Sequence, residues 1–294
     1  MRSGIVSLVG RPNVGKSTLL NTIINAKVAI TSDKAGTTRN ITYGIYNDDD
    51  TQIVFVDTPG IHKPMNKLGE LLNKKAYSNG MDAEIILFLV DASTGIGRGD
   101  IFILDRLKTS NKKIILLLNK VDLIKKELLL KMISDMNELY SFSEIIPISA
   151  LKGDNVLELI ETIKPYLTND FKYFPDDMIT NVTTSFLASE LIREKVLELT
   201  TDEVPHAITC IVEKYDEKES LVRINALIVV DRESLKKIII GKNGSMIKQI
   251  GTLARLDIEK MVGKKVYLEI FVKTIKSWRD SERHFSELGL KDFE

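Results

Sequence analysis

The chain has 294 residues, with 41 basic and 41 acidic side chains, 44% hydrophobic residues and a single cysteine, Cys210. This length is enough for about two domains, each with its own core. One cysteine excludes an internal disulfide, and the longest apolar runs are far shorter than the roughly 20 residues of a membrane-spanning helix. The chain runs straight into an apolar segment without the features of a signal peptide, so we expect a cytoplasmic protein.

The first motif is a glycine-rich loop between an apolar run, Ile5–Val9, and a helical pattern of apolar residues. It fits the pattern Gly, four residues, Gly-Lys-Ser/Thr, in which backbone N–H groups wrap an anion. Lys16 can neutralise the terminal phosphates, and the Ser17 hydroxyl is placed for Mg²⁺. We therefore predict a nucleotide phosphate site built from Gly10, Arg11, Pro12, Asn13, Val14, Gly15, Lys16, Ser17 and Thr18.

Two further segments carry chemistry for the same site. A polar loop, 31–40, contains Thr37 and Thr38, and an acidic turn, 48–50, indicates a hairpin between strands over 41–47 and 52–56. The second of these strands ends in Asp57-Thr58-Pro59-Gly60. At that place a carboxylate can bind a Mg²⁺-bound water, and the Gly60 N–H can bind a terminal phosphate.

A third segment indicates which base is bound. Strands predicted over 84–90 and 113–118, with a helix over 98–109 between them, point to a largely parallel sheet. The second strand runs into Asn119-Lys120-Val121-Asp122, at the sheet edge where ligands bind. Asp122 can accept hydrogen bonds from guanine N1 and N2, whereas adenine would leave the carboxylate unpaired. We expect Asn119 to brace the loop, the Lys120 stem to pack along the base, and the loop at Ser149-Ala150 to offer an N–H to guanine O6.

The order of these motifs, each at the end of a predicted strand, resembles the translation-factor-like GTPases. The resemblance covers the whole first domain and implies GTP as substrate. It implies that Mg²⁺ is held by Ser17, by Asp57 through water, and by Thr37 or Thr38, with Thr38 preferred. The groups that it assigns to catalysis are Lys16, Asn13, Thr38 and Gly60.

Two details resemble the subgroup of these GTPases that lacks a catalytic glutamine. The position after Gly60 is Ile61, which is apolar and unable to orient a water molecule. Asn13 matches the asparagine that, in potassium-dependent members, helps to hold K⁺ beside the phosphates. The resemblance therefore implies that K⁺ takes the place of an arginine finger.

The second half of the chain has a different pattern. A predicted helix, 186–199, is followed by strands over 207–213 and 221–230, helices over 234–240 and 246–261, and a strand over 266–273. The two later helices flank Gly241-Lys242-Asn243-Gly244, and a Gly-x-x-Gly loop in that setting clamps about four nucleotides of single-stranded RNA in KH domains. The order of elements resembles the type II KH fold.

Charge supports this interpretation, because the segment 235–276 contains ten Lys or Arg residues against three acidic ones within a neutral chain. A local basic excess is typical of a surface that binds a phosphate backbone. The residues that we expect to contact RNA are Lys236, Lys237, Gly241, Lys242, Asn243, Gly244, Lys248 and Arg255.

Over its whole length the chain resembles the Era family of bacterial GTPases, through these motifs together with Glu203-Val204-Pro205-His206 and Trp278-Arg279. The expected architecture is an α/β P-loop GTPase domain, 1–168, a linker, 169–184, and a smaller α+β type II KH domain, 185–294. The family resemblance implies a ribosome assembly factor that binds GTP, GDP and Mg²⁺, and the 3′ end of small-subunit ribosomal RNA. We expect a monomer.

Two other functions fit parts of the sequence. One is an RNA-binding scaffold whose nucleotide pocket is only regulatory, and the other is peripheral membrane association through a basic surface over 260–276. The three histidines, His62, His206 and His284, lie too far apart to predict a metal site and are expected to be structural or on the surface. Cys210 and Trp278 are expected to pack in the core.

Overall fold

The computed structural model describes residues 1–61 and 63–290. His62 and residues 291–294 of the predicted KH domain lie outside the described residues. The chain forms two compact units: the first contains residues 1–31, 38–63 and 71–181, and the second contains residues 32–37, 64–70 and the chain from 182 onward. Residues 169–181 of the predicted linker thus lie within the first unit.

The first unit contains a six-stranded sheet with the order β2-β3-β1-β4-β5-β6. Only β2 is antiparallel to its neighbour, and the acidic turn joins it to β3 as predicted. The strands are β1 (Arg2–Gly10), β2 (Thr42–Asn47), β3 (Thr51–Asp57), β4 (Ile85–Asp91), β5 (Lys113–Asn119) and β6 (Glu144–Ile148). The helices are α1 (Lys16–Ile24), α2 (Lys67–Asp82), α3 (Arg98–Leu107), α4 (Lys126–Leu139) and α5 (Val156–Ile163).

Helices cover both faces of this sheet. One core joins α1 and α5 to alternate strand residues such as Leu87, and the other joins α3 and α4 to the intervening ones such as Phe88. The central strands are continuous apolar runs because parallel strands are buried on both faces. This arrangement leaves the carboxyl ends of β1, β3 and β5 as the place where polar side chains gather.

The second unit contains a three-stranded sheet with the order β7-β8-β9. Strand β8 is antiparallel to β7 and parallel to β9. The predicted succession helix, strand, strand, helix, helix, strand is confirmed. Its elements are α6 (Thr184–Leu199), β7 (Ile208–Glu217), β8 (Leu221–Val230), α7 (Glu233–Ile240), α8 (Ser245–Val262), β9 (Lys265–Thr274) and α9 (Glu282–Glu287).

The predicted packing roles of two side chains in this unit are confirmed. Cys210 is buried on β7, and Trp278 is fully buried, with its indole N–H donating to the Ala207 carbonyl over 3.2 Å. Strand β7 extends to Glu217, beyond the predicted end at Glu213, because its pairing with β8 resumes after a bulge between Val212 and Lys214. The strand therefore includes polar residues that the sequence pattern assigned to a turn.

Candidate functional site

The glycine-rich loop joins the end of β1 to the start of α1, with Lys16 as the first residue of the helix. The Lys16 side chain is buried, and its Nζ donates to the carbonyls of Gly10 at 3.2 Å and Arg11 at 2.9 Å. Burial lowers the pKa of Lys16 to about 8, and the negative charge of Asp57 opposes that shift. The ammonium group is thus held inside the loop, where it can bind the terminal phosphates.

Asn119 ties this loop to the base-recognition segment. Its Nδ2 donates to the Val14 carbonyl over 2.7 Å, and its Oδ1 accepts from the Ala150 N–H over 2.9 Å. Gly15 has a φ of +103°, and a Cβ there would lie 2.2 Å from Nδ2 of Asn119. Only glycine lets the loop approach the asparagine this closely, and the hydrogen bond from Asn119 to Val14 agrees with the expected bracing role of Asn119.

Three oxygen-bearing side chains meet at the phosphate end of the loop. The Ser17 hydroxyl donates to Asp57 Oδ2 at 2.5 Å and lies 3.0 Å from the hydroxyl of Thr38. Asp57 is buried, and its second carboxylate oxygen, Oδ1, has no hydrogen-bond partner among the described residues. Burial raises the pKa of Asp57 to about 6, against the effects of Lys16, Ser17 and Thr38.

This arrangement fits Mg²⁺. Hydroxyl and carboxylate oxygens are the ligands that Mg²⁺ takes from proteins, with waters and nucleotide phosphates completing its octahedron. The unpartnered Oδ1 of Asp57 is an acceptor that a metal-bound water would satisfy. A divalent charge nearby would also offset the cost of keeping this buried carboxylate ionised.

The two threonines of the polar loop differ in their contacts. Thr38 lies beside Ser17, whereas the Thr37 hydroxyl donates to the Lys34 carbonyl over 2.6 Å. The geometry therefore favours Thr38 as the ligand of the metal, in keeping with the preference drawn from the sequence.

The Asp-x-x-Gly segment packs directly against the glycine-rich loop. The Thr58 hydroxyl donates to the Leu8 carbonyl over 2.8 Å, and the Ile61 N–H donates to the Gly10 carbonyl over 3.3 Å. A Cβ on Gly60 would lie 2.6 Å from the backbone nitrogen of Pro12, so this contact requires glycine. The Ile61 side chain is buried in the apolar core.

The base-recognition segment is held by contacts that its sequence does not reveal. The Lys120 ammonium donates to the Asn13 carbonyl at 2.9 Å and to Asp91 Oδ2 at 2.6 Å. Asp122 has a side chain that is 11% exposed and lies 3.8 Å from Nζ of Lys152. The Ala150 N–H, in the loop expected to offer a donor to guanine O6, donates to Asn119 Oδ1.

Two acidic residues of the site were missed by the sequence analysis. Asp100, on α3, is fully buried and accepts from Arg11 Nε at 2.8 Å and from the Gly97 N–H at 2.8 Å. Asp91, at the end of β4, binds Lys120. The end of a buried strand was a usable signal for Asp91, but nothing in the sequence connects Asp100 to Arg11.

The Gly-x-x-Gly loop of the second unit forms a short 3₁₀ turn between α7 and α8. Lys242 and Asn243 are exposed at its tip, and Asn243 has a φ of +53°. The nearby Lys237, on α7, and Lys248, on α8, are also exposed. Basic side chains therefore surround the loop on both sides.

Ion pairs divide the basic residues of this unit into two groups. Lys260, Lys264 and Lys265 pair with acidic residues, and Arg255, a predicted RNA contact, pairs with Glu259 over 3.1 Å. In the described part of the chain, no ion pair involves four lysines around the loop, Lys236, Lys237, Lys242 and Lys248. These four lysines therefore leave positive charge around the loop that no ion pair among the described residues offsets.

Residues 1–61 and 63–290 contain no group of three or more His, Cys, Asp or Glu side chains that could hold a metal ion. None of their helices is both long and apolar enough to cross a membrane.

Comparison with known proteins identifies both units. Residues 5–120 match the family model of a 50S ribosome-binding GTPase, and residues 203–279 match that of a KH domain. The chain is similar to Era in complex with MgGDPNP and nucleotides 1506–1542 of 16S ribosomal RNA, with 41% identity, 99% of each chain covered and a TM-score of 0.95. It is also similar to a variant of Aquifex aeolicus Era bound to GDP and AlF4⁻, with 40% identity, 99% of each chain covered and a TM-score of 0.94. The chain belongs to the Era family of GTPases.

Proposed function

We propose that this chain is a GTP-hydrolysing ribosome assembly factor that binds small-subunit ribosomal RNA through its Gly-x-x-Gly loop and couples RNA binding to its nucleotide state. The observation that carries the proposal is the meeting of Ser17, Thr38 and Asp57 at the phosphate end of the glycine-rich loop. A similar Era, matched over 99% of both chains, is known in complex with MgGDPNP and 16S ribosomal RNA. The boundaries that we propose are a GTPase domain, 1–168, a linker, 169–184, and a KH domain, 185–294.

Hydrolysis at this site is an in-line attack of water on the γ-phosphate. Lys16 and the Gly60 N–H bind the phosphate oxygens, on which negative charge develops in the transition state. Ser17 and Thr38 would hold Mg²⁺ directly and Asp57 would hold it through water, and the metal would supply positive charge that stabilises the transition state. No covalent intermediate forms.

We further propose that K⁺ supports this reaction from a position near Asn13. The supporting observation is that Ile61 is apolar and buried, so the residue after Gly60 cannot orient the attacking water. Turnover should be faster in KCl than in NaCl, and Asn13→Ala should abolish the difference. Equal rates of the wild-type protein in the two salts would refute the role of K⁺.

Guanine is selected, on this proposal, by Asp122. Its carboxylate is mostly buried and lies 3.8 Å from Nζ of Lys152, and its two oxygens can accept hydrogen bonds from guanine N1 and N2. Lys120 is tied to Asn13 and Asp91 on the phosphate side. The base loop and the phosphate loop are therefore held together as one rigid surface.

The RNA that we propose is the 3′ end of 16S ribosomal RNA. The family model that names the 50S ribosome matches only residues 5–120, whereas the similarity to the Era bound to 16S RNA covers 99% of the chain. The similarity that includes the KH domain therefore supports 16S ribosomal RNA as the partner. The exposed lysines around the loop supply the charge that such an RNA requires.

The path of the chain at Thr37 and Thr38 supports the proposed coupling of RNA binding to nucleotide state. Thr38 belongs to the first unit, whereas Thr37 belongs to the second. Within the second unit, Arg193 is buried, pairs with Glu190 at 2.6 Å and donates to the Thr37 carbonyl. A movement of Thr38 on nucleotide exchange would therefore act on a residue held by α6.

The decisive experiment measures RNA affinity with GDP, with a non-hydrolysable GTP analogue and without nucleotide, using nucleotides 1506–1542 of 16S RNA. A difference between nucleotide states is expected. Equal, tight binding in all three would instead support the alternative of an RNA-binding scaffold with a regulatory pocket.

We propose a monomer that acts in the cytoplasm. The alternative of peripheral membrane association depends on a basic surface over 260–276. Lys260, Lys264 and Lys265 of that segment pair with acidic residues, which weakens the attraction to anionic lipids. Sedimentation with anionic vesicles would test it, and we expect the protein to remain in the supernatant.

A further inference from the structure

A cavity of about 380 Å³ lies in the second unit, between the chain that follows α6 and the helices α7 and α8. This volume falls within the range of about 300 to 1,000 Å³ that is usual for ligand pockets. Ile238 and Met246, which flank the Gly-x-x-Gly loop, contribute to its lining. The cavity therefore adjoins the loop that we propose to bind RNA.

The floor of the cavity is apolar. Leu235 and Ile239 of α7 are buried, but Ile238, which lines the cavity, is 48% exposed. Met246 is half-buried at the start of α8, and a Cβ on Gly241 would lie 2.7 Å from its Cβ. An exposed apolar surface of this kind can be covered by the flat face of a nucleobase.

The rim of the cavity is polar and mostly acidic. Glu203 forms an ion pair with Arg232, and the Thr201 hydroxyl donates to Asp202 over 2.9 Å. Two carboxylates and one guanidinium leave a net negative rim, which repels a phosphate. Carboxylate oxygens instead accept hydrogen bonds from the amino groups of guanine, adenine or cytosine, and a guanidinium plane can stack on a base.

We propose that this cavity binds the base of one unpaired nucleotide next to the four held by the Gly-x-x-Gly loop, and that it prefers a base with an amino group over uracil. The inference rests on the proposed RNA-binding function of that loop. A strand that leaves the loop beside Ile238 and Met246 brings its next base to the cavity, while its phosphates stay with the exposed lysines.

The test is a scan of the RNA of nucleotides 1506–1542, in which each unpaired nucleotide in turn is made abasic. With wild-type protein, the abasic site at the pocket position should weaken binding by about tenfold, the size of a lost base stack. In Ile238→Ser, the same abasic site should have no further effect, because the apolar floor is already lost. The matched control is Leu256→Ser on α8, a side chain that is 43% exposed and does not line the cavity. It should leave the full abasic effect in place.

A second variant, Thr201→Phe, fills the cavity from its exposed rim and should also erase the effect of that one abasic site. Uracil at that position keeps the stack and lacks only the amino group, so it should weaken binding relative to cytosine, but by less than the abasic site does. The inference is wrong if every abasic effect is the same in the wild type and both pocket variants, and the base preference is wrong if uracil binds as well as cytosine.

Failure of the proposed function gives a different result. Replacing the loop tip through Lys242→Asp with Asn243→Asp introduces negative charge where we expect phosphates. If this double variant binds the RNA as tightly as the wild type, the proposed role of the loop fails. If it loses binding while the pocket variants show no coupling to any abasic site, only the pocket is excluded.

Discussion

Replacing Asp57 with asparagine should stabilise the nucleotide-free protein while weakening its binding of Mg²⁺ and GTP. Asp57 is fully buried next to Lys16 and Ser17, and one of its carboxylate oxygens has no hydrogen-bond partner in the described residues. The folded protein without nucleotide therefore holds an ionised carboxylate in a poorly compensated place. Asparagine keeps the size and shape of the side chain and removes the charge.

The size of the stabilisation expected for Asp57→Asn follows from the pKa of Asp57. Burial raises the pKa of Asp57 from its ordinary value of 3.8 to about 6. A shift of this size corresponds to about 3 kcal/mol of lost folding free energy when the carboxylate is ionised. This pKa already includes the attraction to Lys16, so we expect a net gain of at most about 3 kcal/mol, which raises Tm by a few degrees.

The sign of the pH dependence is fixed by the direction of the shift. Because the pKa of Asp57 is higher in the folded than in the unfolded chain, its penalty is absent below about pH 4 and grows as the pH rises through about 6. The gain from Asp57→Asn should thus be close to zero at pH 4 and complete at pH 7.

Thermal melts in EDTA without nucleotide, from pH 4 to pH 7.5, would measure this gain. Asp91→Asn is the matched control: burial raises the pKa of Asp91, but hydrogen bonds from Lys120 and Ser93 outweigh it, so the net pKa is lowered and this variant should lose stability. With Mg²⁺ and a GTP analogue, the order of wild type and Asp57→Asn should reverse. A lower Tm for Asp57→Asn at pH 7 without nucleotide, or a gain that is the same at pH 4, would refute the reasoning.

Three further substitutions test how the site is held. Asn119→Ala leaves the Val14 carbonyl and the Ala150 N–H without their buried partner, at a cost of about 1 to 3 kcal/mol each, so Tm and nucleotide affinity in a melt and a titration should both fall. Asp100→Asn loses its charge-assisted bond to Arg11 and should speed nucleotide release in a stopped-flow assay, whereas Asp105→Asn on the exposed side of α3 should not. Asp122→Asn should shift the preference from guanosine to xanthosine nucleotides in a competition assay, and an unchanged preference would contradict its assignment.

The nucleotide motifs could be predicted from sequence because each is a short continuous string at the end of an apolar strand. Glycine, lysine and hydroxyl at fixed spacing in one loop are enough to predict a phosphate site, since the backbone itself does the binding. The contacts that hold the motifs together, in contrast, join residues that are far apart in the sequence. Arg11 and Asp100 lie 89 residues apart, and only the packing of α3 against the loop brings them together.

Three helices were not predicted as full elements, for reasons visible in their burial. In α4 only Met132 and Met136 are buried, while Leu128, Leu130 and Leu139 are exposed, so the apolar stripe is obscured. The α2 sequence is mostly polar and glycine-containing, and α5 is short. Tertiary packing rather than a clear period therefore defines α2 and α4. The buried residues of α5 do recur at the helical spacing i, i+3, i+4 and i+7: Val156, Leu159, Ile160 and Ile163.

The choice between Thr37 and Thr38 shows the same limit at the scale of one residue. The two side chains are identical and adjacent, so composition and spacing cannot separate them. The structure does so through the backbone, which turns the Thr37 hydroxyl to the Lys34 carbonyl and the Thr38 hydroxyl to Ser17. Which of two adjacent residues in an irregular loop faces the site depends on contacts at both ends of that loop.

The pKa shifts of Lys16 and Asp57 have the same cause, which is burial, and they have a common consequence. Burial lowers the pKa of Lys16 to about 8 and raises that of Asp57 to about 6, so each charge destabilises the empty site between those values. Their attraction to each other offsets only part of that cost. A phosphate beside Lys16 and a divalent cation near Asp57 oppose both shifts at once, so binding of the nucleotide with its metal should stabilise the fold more than either alone. The same two buried charges that make the empty protein less stable thereby favour joint occupancy by phosphate and metal, which is the state that hydrolysis requires.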